Sequence, residues 1–220
     1  MSMNLVLFDL DNTLLAGDSD FEWAQYLIER GVLDREVYEA RSQEFFDAYS
    51  NGTLDIHAFL DFQLKPLSRH PRAELEAWHR NFMQQRVIPI IAPKTNALIA
   101  SHRGALMAVV TATNSFIAGP IARELGVPHL LATVPEEQDG EFTGRAAGVP
   151  AFREGKITRL MIWLAERGER LEDFQRTYFY SDSLNDLPLL SLVSHPVAVD
   201  PDPTLRAHAA RHGWPVITLR

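Results

Sequence analysis

The sequence predicts an α/β fold, in which a doubly wound parallel sheet carries an all-helical domain inserted after its first strand. Three observations predict this fold. Short apolar runs alternate with amphipathic stretches over most of the chain, which is typical of parallel strands connected by helices. About seventy residues after the first apolar run show no strand pattern, and this is too long for a connecting loop. Several apolar runs end in acidic or hydroxyl residues, as strands do where an open α/β sheet binds its ligand.

The composition is that of a globular protein. The chain has 220 residues, enough for one α/β domain and an accessory domain, with 46% hydrophobic and 23% charged residues. A net charge of −8 argues against nucleic acid or an anionic membrane as the main partner. The absence of cysteine excludes disulfides, thiolate metal sites and cysteine nucleophiles. No apolar run has the length of a membrane span and no leader precedes the first strand, so we expect a cytoplasmic protein. The oligomeric state stays open.

The first apolar run, Leu5-Val6-Leu7-Phe8, predicts a fully buried strand. Asp9 and Asp11 follow it, and alternate residues of an extended chain project to the same side, so both carboxylates can reach one small volume. Two carboxylates that lie so close need a neutralising cation or a shared chemical role. The spacing alone is weak evidence, because it recurs at Asp18/Asp20, Asp200/Asp202 and Glu74/Glu76. The preceding strand and the following Thr13 distinguish the first pair.

The segment after this strand is predicted to be helical. The four helices are expected near residues 21–30, from Asp34 to Ser50, near residues 55–64, and after Pro71. We therefore expect residues 18–87 to form a separate helical domain, the cap. The catalytic α/β core then consists of residues 1–17 and 88–220.

The rest of the chain alternates between strands and helices. Strands are predicted at 105–110, 129–133, 177–181, 196–199 and 216–219. Helices are predicted up to Glu124 with an interruption at Gly119-Pro120, and at 155–167, 184–192 and 203–212. Asp139-Gly140 predicts a small hairpin.

Two single residues have a functional and an ordinary interpretation. Thr111 follows an apolar strand, where it could cap the next helix or bind a phosphate together with backbone N–H groups. Lys156 opens a helix and could be an ordinary surface lysine. A cation in the first turn opposes the helix dipole, however, and a nearby phosphate would offset that cost.

The segment Ser181-Asp182-Ser183-Leu184-Asn185-Asp186 follows another apolar strand. These residue types are common in turns and helix caps. A second carboxylate cluster at the end of a second strand is also what a Mg²⁺ site needs, since Mg²⁺ prefers oxygen ligands.

Together these motifs resemble those of the haloacid dehalogenase-like phosphatases, whose first motif is Asp-x-Asp-x-Thr after a buried strand. The pattern is most similar to the phosphoserine phosphatases and bacterial histidinol-phosphatases of that family, which carry a helical cap. The last motif, Ser-Asp-Ser-x-Asn-Asp, lacks the glycines common in the family but keeps both aspartates and the asparagine. The resemblance implies a phosphatase of amino-acid biosynthesis that acts on a small phosphomonoester, for which histidinol phosphate and phosphoserine are two candidates.

The resemblance also implies residue roles. Asp9 is the nucleophile that forms an aspartyl-phosphate, and Asp11 is the general acid and base. Thr111 and Lys156 complete the catalytic set. The Mg²⁺ site consists of Asp9, Asp11, Asp182 and Asp186, and substrate contacts are expected from Asp18, Thr111, Ala112 and Asn185. Asp18 stands where phosphoserine phosphatases have a cap glutamate that meets the substrate amine, and Glu22 follows one turn later.

Two alternatives from other classes stay open at this point. One is a non-catalytic phosphate-binding or regulatory module with the same fold. The other is a receiver-like signalling domain, which also has an acidic Mg²⁺ pocket and a phosphate-accepting aspartate. The presence of the full motif set and of the long helical insertion favours the enzyme.

Overall fold

Seven strands form one sheet in residues 3–220, the part of the chain that the computed structural model describes. They are β1 (Leu5–Phe8), β2 (Leu106–Asn114), β3 (His129–Gln138), β4 (Glu141–Ala147), β5 (Thr177–Ser181), β6 (His195–Val199) and β7 (Val216–Ile217). Their spatial order is β4-β3-β2-β1-β5-β6-β7. The pairs are parallel except for β3 and β4, which form the predicted hairpin. The predicted α/β class is confirmed.

The helices fall into two groups along the chain. Those of residues 18–87 are α1 (Ser19–Glu29), α2 (Arg35–Ser50), α3 (Ile56–Leu64) and α4 (Arg72–Phe82). Those that follow are α5 (Thr95–Ser101), α6 (Ser115–Glu124), α7 (Glu154–Glu166), α8 (Leu187–Leu190) and α9 (Pro203–His212). No helix in residues 3–220 combines the length and the apolar character that a membrane span requires.

The sheet is covered on both faces, and β1 shows how the sequence achieves this. Val6 and Phe8 join an apolar cluster with α6, whereas Leu5 and Leu7 join a second cluster with α7 and α9. Successive residues of a strand point to opposite faces, so a continuous apolar run is needed where both faces are buried. This double burial places β1 at the centre of the sheet, between β2 and β5.

The cap packs against the core through aromatic side chains. Trp23 of α1 lies 5.1 Å from Phe82 of α4 and 5.7 Å from Phe116 of α6, measured between ring centroids. These residues belong to the same apolar cluster as Val6 and Phe8. The cap helices are therefore fixed beside one face of the sheet, while the division of the chain into two domains stays a prediction.

Some predicted element boundaries were wrong. The predicted interruption of α6 at Gly119-Pro120 does not occur, because burial of Ile117, Ala118 and Ile121 outweighs the single hydrogen bond that Pro120 cannot make. Strand β3 continues to Gln138, where the hairpin pairing with β4 extends it past residue 133. The predicted helix at 184–192 is a 3₁₀ turn followed by the short α8.

Candidate active site

The carboxyl ends of β1, β2 and β5 lie side by side and bring the predicted motifs together. Asp9 follows β1, Thr111 lies near the end of β2, and Asp182 follows β5. Lys156, in the first turn of α7, reaches the same place. Because these strands pair in parallel, as the sequence predicted, four motifs that are far apart in the chain lie at one site.

Asp9 is buried, with 7% of its surface exposed. Its Oδ1 accepts a hydrogen bond from Lys156 Nζ at 2.8 Å, and its Oδ2 lies 3.2 Å from Thr13 Oγ1. Burial raises the pKa of Asp9, and the charge of Lys156 opposes that rise. An ionised carboxylate can therefore be kept in this buried position by the neighbouring cation.

Lys156 is the central cation of the site and is only 3% exposed, so the alternative of a surface lysine is wrong. Its Nζ also donates to the carboxylate of Asp186 at 2.7 Å. Burial lowers the pKa of Lys156, but the charges of Asp186 and Asp9 outweigh burial and leave this pKa raised. Gly155 permits this placement, because a Cβ there would lie 2.0 Å from the carbonyl oxygen of Pro150.

Asp11 lies beside Asp9 and is held by three donors. Its Oδ1 accepts from the backbone N–H and the hydroxyl of Ser19, both at 2.6 Å, and its Oδ2 accepts from Thr113 Oγ1 at 2.6 Å. Burial and the charge of Asp18 raise the pKa of Asp11 to about 6, and the hydrogen bonds from Ser19 and Thr113 oppose the rise. The carboxyl is therefore fixed in orientation and is easier to protonate than an ordinary aspartate.

Asp182 is a second carboxylate at the same edge of the sheet. Thr13 Oγ1 lies 3.1 Å from Asp182 Oδ1 and accepts a hydrogen bond from the Asp182 backbone N–H at 3.0 Å. Burial raises the pKa of Asp182 well above its ordinary value, and the charges of Asp9 and Asp186 add to the rise. Within residues 3–220, no lysine, arginine or histidine forms an ion pair with it.

This donor set fits Mg²⁺. A half-buried carboxylate without a cation is costly, and Asp182 lies close to the buried Asp9, so a divalent ion between the two would neutralise both. In the described part of the chain, no three acidic or histidine side chains form a metal site by themselves. Mg²⁺ commonly uses one or two carboxylates and completes its shell with carbonyl oxygens, water and substrate phosphate. The carboxylate of Asp186 accepts hydrogen bonds from Lys156 Nζ and from Ser181 Oγ, both at 2.7 Å.

The predicted phosphate-binding residues lie in an irregular part of β2. The pairing of β2 with β3 shifts register between Thr111 and Asn114, and Ala112 lies inside this stretch. The alternative of Thr111 as a helix cap is wrong, because Asn114 Oδ1 accepts from the Ile117 N–H and caps α6 instead. The hydroxyl of Thr111 accepts from the Thr113 N–H at 3.1 Å. Phosphate binding by Thr111 and Ala112 stays a prediction.

Asn185 connects the core to the cap. Its Oδ1 accepts from Arg153 Nη2 at 2.9 Å, and its Nδ2 donates to the carbonyl oxygen of Tyr49 at 3.1 Å. Tyr49 OH donates to Ser183 Oγ at 2.7 Å, and Arg153 Nη2 donates to the carbonyl oxygen of Gly52 at 2.6 Å. The end of α2 is thus bound to the loop that carries Asp182, and substrate contact by Asn185 stays a prediction.

Asp18 is exposed at the start of α1, where its Oδ1 accepts from the Phe21 N–H at 2.9 Å and caps the helix. It directly precedes Ser19, which binds Asp11, so Asp18 lies at the edge of the site, where its charge helps to raise the pKa of Asp11. Glu22 pairs with Arg86 at 3.3 Å. Substrate binding by Asp18 stays a prediction.

A family model described as haloacid dehalogenase-like hydrolase matches residues 6–191. The chain belongs to this family. It is 49% identical to the histidinol-phosphatase of Neisseria meningitidis serogroup C over 99% of both chains. The crystal structure of a Bordetella pertussis protein of unknown function matches 100% of both chains with a TM-score of 0.94 and 44% identity. A substrate-bound phosphoserine phosphatase matches 100% of this chain and 94% of its own with a TM-score of 0.69; its 20% identity shows a shared fold.

Several residues of this haloacid dehalogenase-like site were missed by the sequence analysis. Thr113 follows Thr111 by two positions on a strand, and this spacing was a usable signal. Asp20 belongs to an acidic pair that was treated only as an example of chance spacing. Ser19 gave no signal, because part of its contact with Asp11 comes from its backbone N–H, which every residue type except proline has. Tyr49 and Arg153 gave none, because their partners Ser183 and Gly52 lie far away in the sequence.

Proposed function

We propose that this phosphatase hydrolyses a small, amine-bearing phosphomonoester, histidinol phosphate, through an aspartyl-phosphate formed at Asp9. The observation that carries the proposal is the placement of Asp9 against Lys156 Nζ at 2.8 Å, with the fixed carboxyl of Asp11 beside it. The choice of substrate is supported by 49% identity with the histidinol-phosphatase of Neisseria meningitidis over nearly the whole chain.

The first step transfers the phosphoryl group to Asp9. A carboxylate oxygen of Asp9 forms a bond to phosphorus while the bond from phosphorus to the substrate oxygen breaks. Asp11 gives its proton to the departing oxygen, so an alcohol leaves and not an alkoxide. Lys156 holds the Asp9 carboxylate in place and supplies positive charge beside the phosphoryl oxygens.

The second step releases phosphate. Asp11, now ionised, takes a proton from a water molecule as the water attacks phosphorus, and the bond from phosphorus to Asp9 breaks. The net reaction consumes one water and yields the alcohol and inorganic phosphate. Thr111 and the Ala112 N–H are proposed to hold phosphoryl oxygens, and Asn185 to contact the substrate.

Mg²⁺ is the proposed cofactor. Asp9, Asp182 and the backbone carbonyl of Asp11 would hold it, with Asp186 in support, and it would neutralise charge on the phosphoryl group. EDTA should abolish turnover and Mg²⁺ should restore it. Ca²⁺ should inhibit, because it takes more and longer oxygen contacts and can bind both oxygens of Asp9. Full activity in EDTA would contradict a role for the metal.

The decisive experiment compares histidinol phosphate, phosphoserine and an aryl phosphate as substrates in Mg²⁺. Asp9→Asn should lower kcat by ~10²–10⁴-fold or more, since the attacking charge is lost. Asp61→Asn, which changes an exposed aspartate on α3, is the matched control. An active Asp9→Asn enzyme would refute the nucleophile. A wild-type protein that becomes phosphorylated but releases no phosphate would favour the receiver-like alternative.

A further inference from the structure

The polar cluster that holds Asp11 extends to a further buried carboxyl group, that of Asp20, which takes no part in the two proposed steps. Thr113 Oγ1 lies 2.6 Å from Asp11 Oδ2 and 3.2 Å from Asp20 Oδ2. The other oxygen of Asp20 lies 3.5 Å from Asn114 Nδ2, at the limit of a hydrogen bond. Thr113 and Asp20 are 3% and 6% exposed. One buried hydroxyl therefore lies between the buried carboxyl group of Asp20 and the half-buried carboxyl group of Asp11.

The direction of the hydrogen bonds in this cluster follows from the number of protons. A hydroxyl has one proton and can donate to only one of the two carboxyl groups. The shorter distance assigns that proton to the contact with Asp11. The contact with Asp20 is then favourable only if the Asp20 carboxyl donates to Thr113 Oγ1. Burial and the charges of Asp18 and Asp11 raise the pKa of Asp20 well above its ordinary value, which supports a neutral, donating Asp20.

The backbone fixes Thr113 in this position. Thr113 lies in the stretch of β2 where the pairing with β3 shifts register, and its N–H donates to Thr111 Oγ1 at 3.1 Å. Asp20 lies in the first turn of α1, next to Ser19, which binds the other oxygen of Asp11. The Asp11 carboxyl is thus held from β2 on one side and from α1 on the other.

We propose that Thr113, oriented by a hydrogen bond from Asp20, is a positioning residue that holds the Asp11 carboxyl in the orientation needed for proton transfer to the leaving group. This inference rests on the proposed function, because it assigns a task to residues around the proposed general acid. Neither Thr113 nor Asp20 transfers a proton to the substrate itself.

The experiment uses the leaving group to separate positioning from folding. An alkyl phosphate such as histidinol phosphate needs a proton on its departing oxygen, whereas p-nitrophenolate leaves without one. The parameter kcat/KM reports on steps up to departure of the alcohol, so both substrates are compared at the same step. Thr113→Val should lower kcat/KM for histidinol phosphate by about 10- to 100-fold more than for p-nitrophenyl phosphate. Thr113→Ser keeps the hydroxyl and should restore the wild-type ratio.

Asp20 is tested by a matched pair of variants. Asp20→Asn places an amide donor where the neutral carboxyl stood, so the wild-type ratio of the two kcat/KM values should persist. Asp20→Ala removes the donor, and the ratio should shift in the same direction as in Thr113→Val, to a smaller extent. A selective loss of histidinol phosphate turnover in Asp20→Asn would show that Asp20 acts as a charge, and would overturn its assigned role.

Other outcomes also decide between the hypotheses. Equal losses on both substrates in Thr113→Val, or a Thr113→Ser variant that fails to rescue, would mean that Thr113 supports the structure and would overturn the inference. The proposed function would stand in that case, because wild-type turnover is measured separately. Should Thr113→Val not fold, Thr113→Ala and Asp20→Ala provide the same comparison. A wild-type protein inactive on every monoester overturns the proposed function and the inference with it.

Discussion

At the scale of single residues, the site depends on one cation between two carboxylates. Lys156 Nζ lies 2.8 Å from Asp9 Oδ1 and 2.7 Å from the carboxylate of Asp186, and all three side chains are buried. A buried ion pair adds little stability compared with apolar residues, but removal of one partner leaves the other charge uncompensated. Lys156 therefore matters for the fold as well as for the chemistry.

We predict that Lys156→Met destabilises the metal-free protein by ~3–5 kcal/mol, because Asp9 and Asp186 lose their only ion-pair partner among the described residues. The free energy of unfolding in urea is the measurement. Lys65→Met, at an exposed lysine, is the control and should change it little. A Lys156→Met protein as stable as the control would show that the two carboxyl groups are neutral without the cation.

A second residue-scale prediction concerns Asp18. Asp18→Asn removes the charge but keeps a side chain that can cap α1. A change in activity would therefore come from the lost charge and not from a destabilised helix. If Asp18 meets the substrate amine, kcat/KM should fall by the equivalent of ~1.5–3 kcal/mol for histidinol phosphate and phosphoserine. It should change little for an uncharged aryl phosphate. Equal losses on all substrates would mean that Asp18 only supports the structure.

At the scale of secondary-structure elements, the end of α2 is bound to the loop after β5. Tyr49 contributes twice, since its hydroxyl donates to Ser183 and its carbonyl accepts from Asn185. Arg153 adds a bond to Gly52 from a backbone with φ of 49°, a conformation unusual for a residue with a side chain. Strained residues of this kind persist only where their surroundings hold them. The contact keeps the cap close to the carboxylates of the site.

We predict that Tyr49→Phe loosens this contact by ~0.5–1.5 kcal/mol, the typical loss for one neutral hydrogen bond. Amide hydrogen exchange of residues 50–54 should become faster, because the turn after α2 opens more often. Tyr38→Phe is the matched control on the same helix, where the tyrosine packs against Phe62. Unchanged exchange in Tyr49→Phe would mean that Asn185 and Arg153 hold the turn without it.

At the scale of the whole molecule, the cap and the core share an apolar cluster that contains a buried histidine. His79 of α4 is 4% exposed and lies within 5.1 Å of Phe116 between ring centroids. Its Nε2 lies 3.2 Å from the carbonyl oxygen of Ile117, so a neutral ring with a proton on Nε2 satisfies the contact. Burial lowers the pKa of His79 to about 4.

The free energy of unfolding should therefore decrease in acid, partly because the unfolded state binds a proton at His79 that the folded state resists. A histidine that is neutral in the folded state gives stability that is fully present above its unfolded pKa of about 6.5. This stability is lost as the pH falls from about 6.5 towards 4, by at most about 1.4 kcal/mol per pH unit. In His79→Gln, whose amide can still donate, the unfolding free energy should lose this part of its pH dependence. His57→Gln, at an exposed histidine, should keep it. An unchanged profile in His79→Gln would refute the assignment.

Much of the architecture could be predicted from the sequence, because the signals are local. The apolar run of β1 requires burial on both faces, and the alternation of strands and helices requires parallel pairing. Acidic residues placed directly after strands then meet at one edge of the sheet, as Asp9 and Asp182 do. Where local signals were misleading, as at Pro120 in α6, long-range burial outweighed them.

The sequence by itself thus determined the α/β class, the helical insertion and the positions of Asp9, Asp11, Lys156 and Asp182 at one site. Only the tertiary structure decided which side chains are joined by a hydrogen bond or an ion pair. It placed Lys156 between Asp9 and Asp186, Thr113 between Asp11 and Asp20, and Tyr49 against Ser183. The partners in these contacts are mostly far apart in the chain, and a hydrogen bond depends on distances of a few tenths of an ångström, which no periodic pattern of residues encodes.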